Sequence, residues 1–343
     1  HRGIVFAPFY WITITTMGRL AEIETENNSD EEETENNYQT ATLLSVPLFH
    51  VTGCHAIFLL SIAVGRKTVM MYKWDPEKAL DLIEAEKISA FTGVPTMSSE
   101  IVEAQRKNPR NIDTLKDLLG GGSARPPEQV RKQKEYLPKT NPGIGYGMTE
   151  TNALGANNTG ELYVQKPEST GYALPLLMDL KIIDDDGNDL STNVSGEVCI
   201  KSASTFKGYW KNQEATDQAL TSDGWVKTGD IGYLDDQGFL YINDRKKDLV
   251  IRGGENISCI EVESMICEHP SVLEASVFGV PDDRLGEILA TYICIRDDSN
   301  LSEKEISSFL EEKIANFKIP THYRFQTDKL PRIASGKIAK IDM

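Results

Sequence analysis

Hydrophobic and polar positions change rhythm three times along the chain. TLLSVPLFHVTG (42–53) starts with an apolar run and predicts a buried strand leading into a loop. GRKTVMMYKW (65–74) predicts the next strand. Asp75-Pro76 predicts a helix start, with Asp as cap and Pro in the first turn, and Leu80, Ile83 and Lys87 follow at helical spacing. ISAFTGVP (88–95) returns to strand, and this alternation of strand and helix predicts a parallel sheet. From Leu180 the rhythm shortens. LKIIDDDGNDL and YLDDQGFLYIND each put an acidic-Gly turn between alternating segments, which predicts hairpins and a small antiparallel module. After Asp244 it changes again. Val262, Met265, Ile266 and His269 share a helical face, while 272–280 and 287–295 read as strands. Ser302-Glu303-Lys304-Glu305 is a capping box before an apolar face of Ile306, Phe309, Leu310, Ile314 and Phe317.

The expected fold is therefore α/β. A large α/β domain with a small antiparallel β module occupies 1–243, and a small mobile α+β C-terminal domain occupies 244–343. Residues 21–39 interrupt the first unit: AEIETENNSDEEETENN is dense in like charge and is expected to be a solvated loop insert.

Composition narrows the class. The chain has 343 residues, 40% of them hydrophobic and 26% charged, as in an ordinary globular protein. A net charge of −16 argues against nucleic acid or an anionic membrane as the main partner. The apolar runs near 4–15 and 54–64 fall short of the ~20 residues that span a bilayer. At most a peripheral membrane contact is expected. The five cysteines form no CxxC pair and their odd count disfavours a disulfide framework, so a reducing compartment, the cytoplasm, is expected.

Candidate chemistry gathers at glycine-flanked positions. GIGYGMTET (143–151) offers backbone that a ligand can approach, a Thr hydroxyl for phosphate oxygens and Glu150 for Mg²⁺; it reads equally as a Gly-rich turn with a capping Thr. LLGGGSARP (118–126) reads as a strand end followed by either a ligand loop or a simple turn. In WVKTGDIGYL (225–234), Asp230 after a Thr-Gly turn could accept two ribose hydroxyls or serve as an Asx-type turn residue. In LPRIASGKIAK (330–340), Lys337 is a mobile charge for a phosphate or a solvent-facing side chain. His50 ends an apolar strand, where a packed role is the commoner one. No GxxxxGK[ST], HExxH or GxSxG is present.

The order of these stretches carries more than any one of them. PLFHVTG, GGGSARP, GYGMTET, TGD, DRKKDLVIRGGEN and PRIASGK succeed one another as in the adenylate-forming (AMP-binding) superfamily, which the chain resembles over nearly its whole length except the acidic segment. FKGYW (206–210) and GGENIS are most similar to the fatty-acyl-CoA synthetase branch.

The resemblance implies ATP, Mg²⁺ and coenzyme A as cofactors and a small-molecule carboxylic acid as substrate. It implies that Gly122, Ser123 and Ala124, with Gly145, Tyr146 and Gly147, frame the adenine. Thr149 is expected at the α-phosphate, Glu150 at the metal, and Asp230 on the ribose with Arg245 beside it. His50 is expected near the carboxylate and the thiol path, Lys337 at the adenylation step, and Gly253 and Gly254 along the pantetheine tunnel. Thr92–Met97 are expected to line the acyl pocket. Lys247 is expected to be a hinge about which the C-terminal unit turns between half-reactions, with Leu249-Val250-Ile251 anchoring that unit.

Family members also carry a Ser/Thr/Gly-rich phosphate loop ending in Pro-Lys-Gly shortly before a His-Arg-Gly such as His1-Arg2-Gly3. That loop is not among these residues, so the chain is expected to be an N-terminally shortened member that adenylates poorly alone. Two alternatives stand beside a CoA ligase: an adenylation domain that loads a carrier protein, and a non-catalytic nucleotide-binding remnant. Acyl chain length and oligomeric state are not legible in the sequence.

Overall fold

The computed structural model describes residues 1–26, 38–297 and 299–340. The chain opens with helix α1 (Arg2–Glu26). The first sheet is built from β1 (Ala41–Leu44), a π-helical segment Thr52–Leu59 running into α2 (Leu60–Ala63), β2 (Lys67–Met70), α3 (Pro76–Glu86) and β3 (Ala90–Gly93). It continues through α4 (Pro95–Lys107), β4 (Asp117–Gly121), α5 (Pro127–Tyr136), β5 (Asn141–Gly147), β6 (Gly155–Thr159) and α6 (Gly160–Gln165). Its strand order is β2-β1-β3-β4-β5-β6, with β1 to β5 parallel and only β6 antiparallel.

β1 and β3 are buried along nearly all their length, which is why they read as apolar runs, whereas the edge strand β2 leaves Met70 exposed. Leu43, Phe91 and Leu118 are wholly enclosed together with Leu80 and Ile83 of α3 and Ile101 of α4. The Asp75 cap is as expected: its carboxylate accepts the Lys78 N–H at 3.0 Å. The segment 42–53, expected as a buried strand leading into a loop, begins with β1, buried throughout. The strand stops at Leu44, Pro47 has no N–H to give a ladder, and the chain turns into the π-helix.

The second sheet is antiparallel, as the shortened rhythm predicted: β7 (Met178–Ile183), β8 (Gly196–Ser202), α7 (Gln213–Ala219), β9 (Val226–Leu234) and β10 (Leu240–Arg245), ordered β10-β9-β8-β7. The third joins β11 (Val250–Arg252), β12 (Glu255–Ile257), α8 (Cys259–Cys267), β13 (Val272–Asp282), β14 (Gly286–Ile295), α9 (Glu303–Glu311) and β15 (His322–Gln326). Val262, Ile266, Val277, Ile293, Ile306 and Leu310 fill its core. The Ser302–Glu305 capping box forms as read.

Several expectations need correction. Residues 21–26 of the acidic segment continue α1, because Ala, Glu and Ile propagate an existing helix more cheaply than they leave it; 27–37 lie outside the described residues. α9 ends at Glu311, so Ile314 and Phe317 do not extend its face, and Phe317 sits in a 3₁₀ turn, 37% exposed. His269 lies past α8, against the ring of Phe309. Of the anchor Leu249-Val250-Ile251, Val250 is buried and Ile251 is exposed. No helix among the described residues is long and apolar enough to cross a membrane.

Candidate functional site

In a parallel sheet, loops at the carboxyl ends of the strands meet where strand order reverses, and ligands favour that crevice. The order β2-β1-β3-β4-β5 reverses between β1 and β3. His50 follows β1, Val94 and Met97 follow β3, Gly122 follows β4, and Tyr146 lies near the end of β5.

GIGYG is a strand rather than the glycine turn or open ligand loop weighed from sequence. Its glycines allow close strand packing: a Cβ on Gly143 would lie 2.6 Å from the Leu119 side chain of β4 and 2.9 Å from that of Thr159 of β6. Gly145 pairs with Gly121 on one side and Asn157 on the other. Only Thr149–Thr151 form a turn, a short 3₁₀ helix, with Thr149 exposed. Gly122, Ser123 and Ala124 leave the end of β4, with Gly122 at φ +80°. Buried Arg125 ties this loop back through the Gln133 side chain at 2.6 Å.

Asp230 likewise sits within β9, not between strands. Gly229, at φ +73°, starts a bulge where the pairing of β8 with β9 slips between Glu197 and Cys199. Such a bulge re-aims a side chain. It presents the Asp230 carboxylate to the Tyr146 hydroxyl, which donates to Oδ2 at 2.7 Å. Arg245 pairs with Asp230 across the β9–β10 ladder and brings its Nε to 3.3 Å from Oδ1. Burial nevertheless pushes the Asp230 carboxyl above its ordinary value, against Tyr146, Arg245 and Lys337, which lower it.

Lys337 arrives from the far end of the chain. Residues 333–337 form a tight turn closed by Ile333 N–H to Lys337 O at 2.9 Å, with Gly336 at φ +88°. The turn packs on the start of α4: a Cβ on Gly336 would lie 2.9 Å from Met97 and 3.1 Å from Val94. The Lys337 Nζ would lie 3.6 Å from a Cβ on Gly122. Burial lowers its ammonium pKa, Arg245 lowers it further, and Asp230 opposes. His50 belongs to the same field, its imidazole lowered by burial and then by Lys337. A lysine charge, a held carboxylate, an arginine and an imidazole therefore converge on glycine-lined strand ends.

Glu150 stands beside this cluster. The Tyr209 hydroxyl donates to its Oε1 at 2.6 Å, and its backbone carbonyl accepts the Phe206 N–H at 2.8 Å. That bond pushes Tyr209 up to about 12. Sequence reasoning used FKGYW only as a branch marker and missed this contact. A single oriented carboxylate suits Mg²⁺, which keeps water and phosphate oxygens in the rest of its shell. Among the described residues no group of three His, Cys, Asp or Glu gathers as an all-protein metal site.

Gly253 and Gly254 are not brought into the cluster. They form the two-residue turn of the β11–β12 hairpin, with φ +61° and +91°, as the hairpin twist demands. A Cβ on Gly253 would meet only Leu285, and one on Gly254 nothing within 4 Å. Lys247 is exposed in the turn between β10 and β11. Its neighbour Asp244, also unforeseen, is buried and accepts the N–H groups of Cys259 at 2.5 Å and Ile260 at 3.3 Å, capping α8. A cleft of about 490 Å³ lies at the opposite, amino end of β4 and β5, between Leu115 and Thr140. Its charges are committed to pairs: Arg110 with Glu77 at 2.6 Å and Lys139 with Asp113 at 2.8 Å.

Comparison with known proteins decides the family. Residues 13–210 match the AMP-binding enzyme family and residues 261–337 match the AMP-binding enzyme C-terminal domain. The chain belongs to the AMP-binding enzymes. Against the 2-succinylbenzoate–CoA ligase of Bacillus licheniformis it is 37% identical over 298 residues, covering 87% of this chain and 60% of that protein. Against the long-chain-fatty-acid–CoA ligase of Bacillus subtilis it is 34% identical, covering 86% and 52%. ATP-bound MatB from Rhodopseudomonas palustris superposes with a TM-score of 0.79 at 28% identity, over 89% of this chain and 59% of that one. The amide bond synthetase McbA from Marinactinospora thermotolerans gives 0.80 at 26%, over 89% and 60%. The AMP-binding fold is thus represented here over somewhat more than half the length of these relatives.

Proposed function

We propose that the whole protein activates a carboxylic acid, of the fatty-acid type, as an acyl-adenylate and passes the acyl group to coenzyme A. The observation that carries this reading is the insertion of Lys337 at the carboxyl ends of the parallel strands, beside the Tyr146–Asp230–Arg245 group. Relatives named as CoA ligases for 2-succinylbenzoate and long-chain fatty acids support it.

In this reading ATP binds along the strand ends. Gly122, Ser123, Ala124, Gly145, Tyr146 and Gly147 frame the adenine, and Asp230 accepts the ribose hydroxyls while Tyr146 and Arg245 fix its orientation. Thr149 meets the α-phosphate. Glu150 holds Mg²⁺, whose chemistry is to neutralise phosphate charge. The substrate carboxylate, near His50, attacks the α-phosphorus in line; the bond to the β-phosphate oxygen breaks and pyrophosphate leaves. Lys337 stabilises the charge that develops. The acyl-adenylate is a mixed anhydride, so a thiol can then attack its carbonyl and release AMP. Burial among Val94 and Met97 limits water at that carbon.

We further infer that 244–343 form a lid that turns about Lys247 and withdraws Lys337 before thiol attack. Gly253 and Gly254 contact neither Lys337 nor Asp230 in this pose, so a place for them beside the pantetheine arm belongs to the other pose. The adenylation half is the better supported. McbA is named as an amide bond synthetase, so an acceptor other than coenzyme A, including a carrier-protein thiol, is the competing reading.

The test is Lys337→Ala in the complete protein. ATP–pyrophosphate exchange should fall by roughly 10²-fold or more, the scale of losing one charge-stabilising group. Transfer from chemically made acyl-AMP to coenzyme A should persist. Exchange at the parental rate would defeat the reading.

A further inference from the structure

If Lys337 enters and leaves, something must hold it in. Two carboxylates of α4 cross to the C-terminal unit. Glu103 takes Arg296 through both oxygens, Nη1 to Oε2 at 2.9 Å and Nη2 to Oε1 at 3.1 Å. The side chains are 17% and 20% exposed, far drier than an ordinary surface pair. Arg296 holds the carboxyl of Glu103 below its usual range, although burial alone would raise it.

Glu100 lies three residues earlier on the same helix face. Its Oε1 takes Lys329 Nζ at 2.8 Å and faces Arg332 at 3.8 Å, while its Oε2 accepts the Trp74 indole N–H. Lys329 and Arg332 form the base of the turn that carries Lys337. Arg332 also donates to the Gly336 carbonyl at 3.1 Å and to Glu274 at 2.6 Å. Glu100 is therefore bonded to the stem of the catalytic turn, and Glu103 to the unit behind it. The seam beside Glu103 and Arg296 is nearly closed, with a void of about 20 Å³, room for about one water.

We propose that Glu100 and Glu103 are positioning residues that form an ionic latch, biasing the C-terminal unit toward the pose in which Lys337 enters the Asp230 site. This rests on the lid reading above. The latch acts through Lys337 and touches no reacting atom. The bidentate, largely dried Glu103–Arg296 pair, joined by the more exposed single bond of Glu100 to Lys329, is strong enough to shift a two-state population, yet water can replace both when the unit swings out. Removing the latch therefore lowers the adenylation rate without lowering thiol transfer, a split that loss of folding would not produce.

The pose can be read without catalysis, in the 343-residue chain itself. Lysines are labelled with an acetylating ester, and the rate at Lys337 is compared by mass spectrometry with that at exposed Lys139. Glu103→Gln and Glu100→Gln should each raise the Lys337 rate relative to Lys139 by roughly threefold to tenfold. The swap Glu103→Arg with Arg296→Glu should restore much of the protection. Unchanged labelling in the single variants, with wild-type circular dichroism, overturns the latch. Should a single variant unfold, the swap decides: recovered protection supports the latch and its absence overturns it. The two readings fail separately. If labelling responds as stated but Lys337→Ala leaves pyrophosphate exchange intact, the latch stands and the lysine's catalytic role falls.

Discussion

Tyr146 shows how one hydroxyl serves both fold and site. It is largely enclosed, burial pushes its pKa well up, and its proton goes to Asp230 at 2.7 Å. In Tyr146→Phe the buried carboxylate loses a donor, and hydrogen bonds to charged groups are worth about 1.5–3 kcal/mol. Tyr146→Phe should thus lower stability in urea by about 1.5–3 kcal/mol. It should also raise the Asp230 carboxyl further, since Tyr146 is one of the groups that lower it. An unchanged urea midpoint would contradict this. Tyr209 offers a second residue-scale test. Its phenol orients Glu150, proposed above to hold Mg²⁺, and removing such a partner of a metal ligand typically costs about 10-fold or more in metal affinity. In the complete protein Tyr209→Phe should raise the Mg²⁺ concentration at half-maximal exchange by about tenfold; no shift would strip Tyr209 of that role. Lys337 and Asp230, which the structure brings into one field, each read on its own equally well as a solvent-facing or turn residue; only the order of the glycine-flanked stretches, a resemblance, singled them out. Tyr209 and Asp244 were not legible, because their roles depend on which distant backbone or carboxylate they meet.

At the scale of elements, the buried strands and hairpins could be read because hydrophobic period and turn residues act locally. What escaped was set by partners far along the chain. GIGYG looks like a loop until β4 and β6 flank it and their close packing requires glycine. α1 looked merely apolar; its wholly buried Tyr10 accepts the Leu174 N–H at 3.0 Å, a contact between residues 164 positions apart in the chain. Lys247 was expected to be a hinge; Asp244, three residues before it, is a buried cap that the sequence did not disclose. Asp244 binds the first N–H groups of α8, where a carboxylate also meets the positive end of the helix dipole. Asp244→Ala should therefore cost about 1–2 kcal/mol and speed tryptic cleavage at Lys246 and Lys247, whereas Asp244→Asn should recover part of both. Equal stability of all three proteins, measured by urea unfolding, would rule the cap unimportant.

At the scale of the whole molecule, two effects compete when the pH falls. A net charge of −16 means that acid relieves self-repulsion, which favours the fold. Between pH 7.5 and 5.5, however, carboxylates near their ordinary values take up few protons. The histidines of the unfolded chain titrate across that interval. Burial holds His50, His55 and His269 below the ordinary 6.5, so the folded chain keeps them neutral while the unfolded chain begins to protonate them. Their contribution is fully present above 6.5 and declines as the pH falls toward the lowered folded values. Glu103 adds a second decline at lower pH, because its depressed carboxyl stabilises above 4.5 and loses that effect as it protonates. Asp230 and Glu263 run the other way: burial raises both carboxyls, which makes them liabilities at neutral pH that acid relieves and that the three buried imidazoles must outweigh. Tm should therefore fall from pH 7.5 to 5.5, and replacing His50, His55 and His269 together with Gln should flatten that slope. A Tm that rises across the interval would mean that the relief of negative charge outweighs the buried imidazoles.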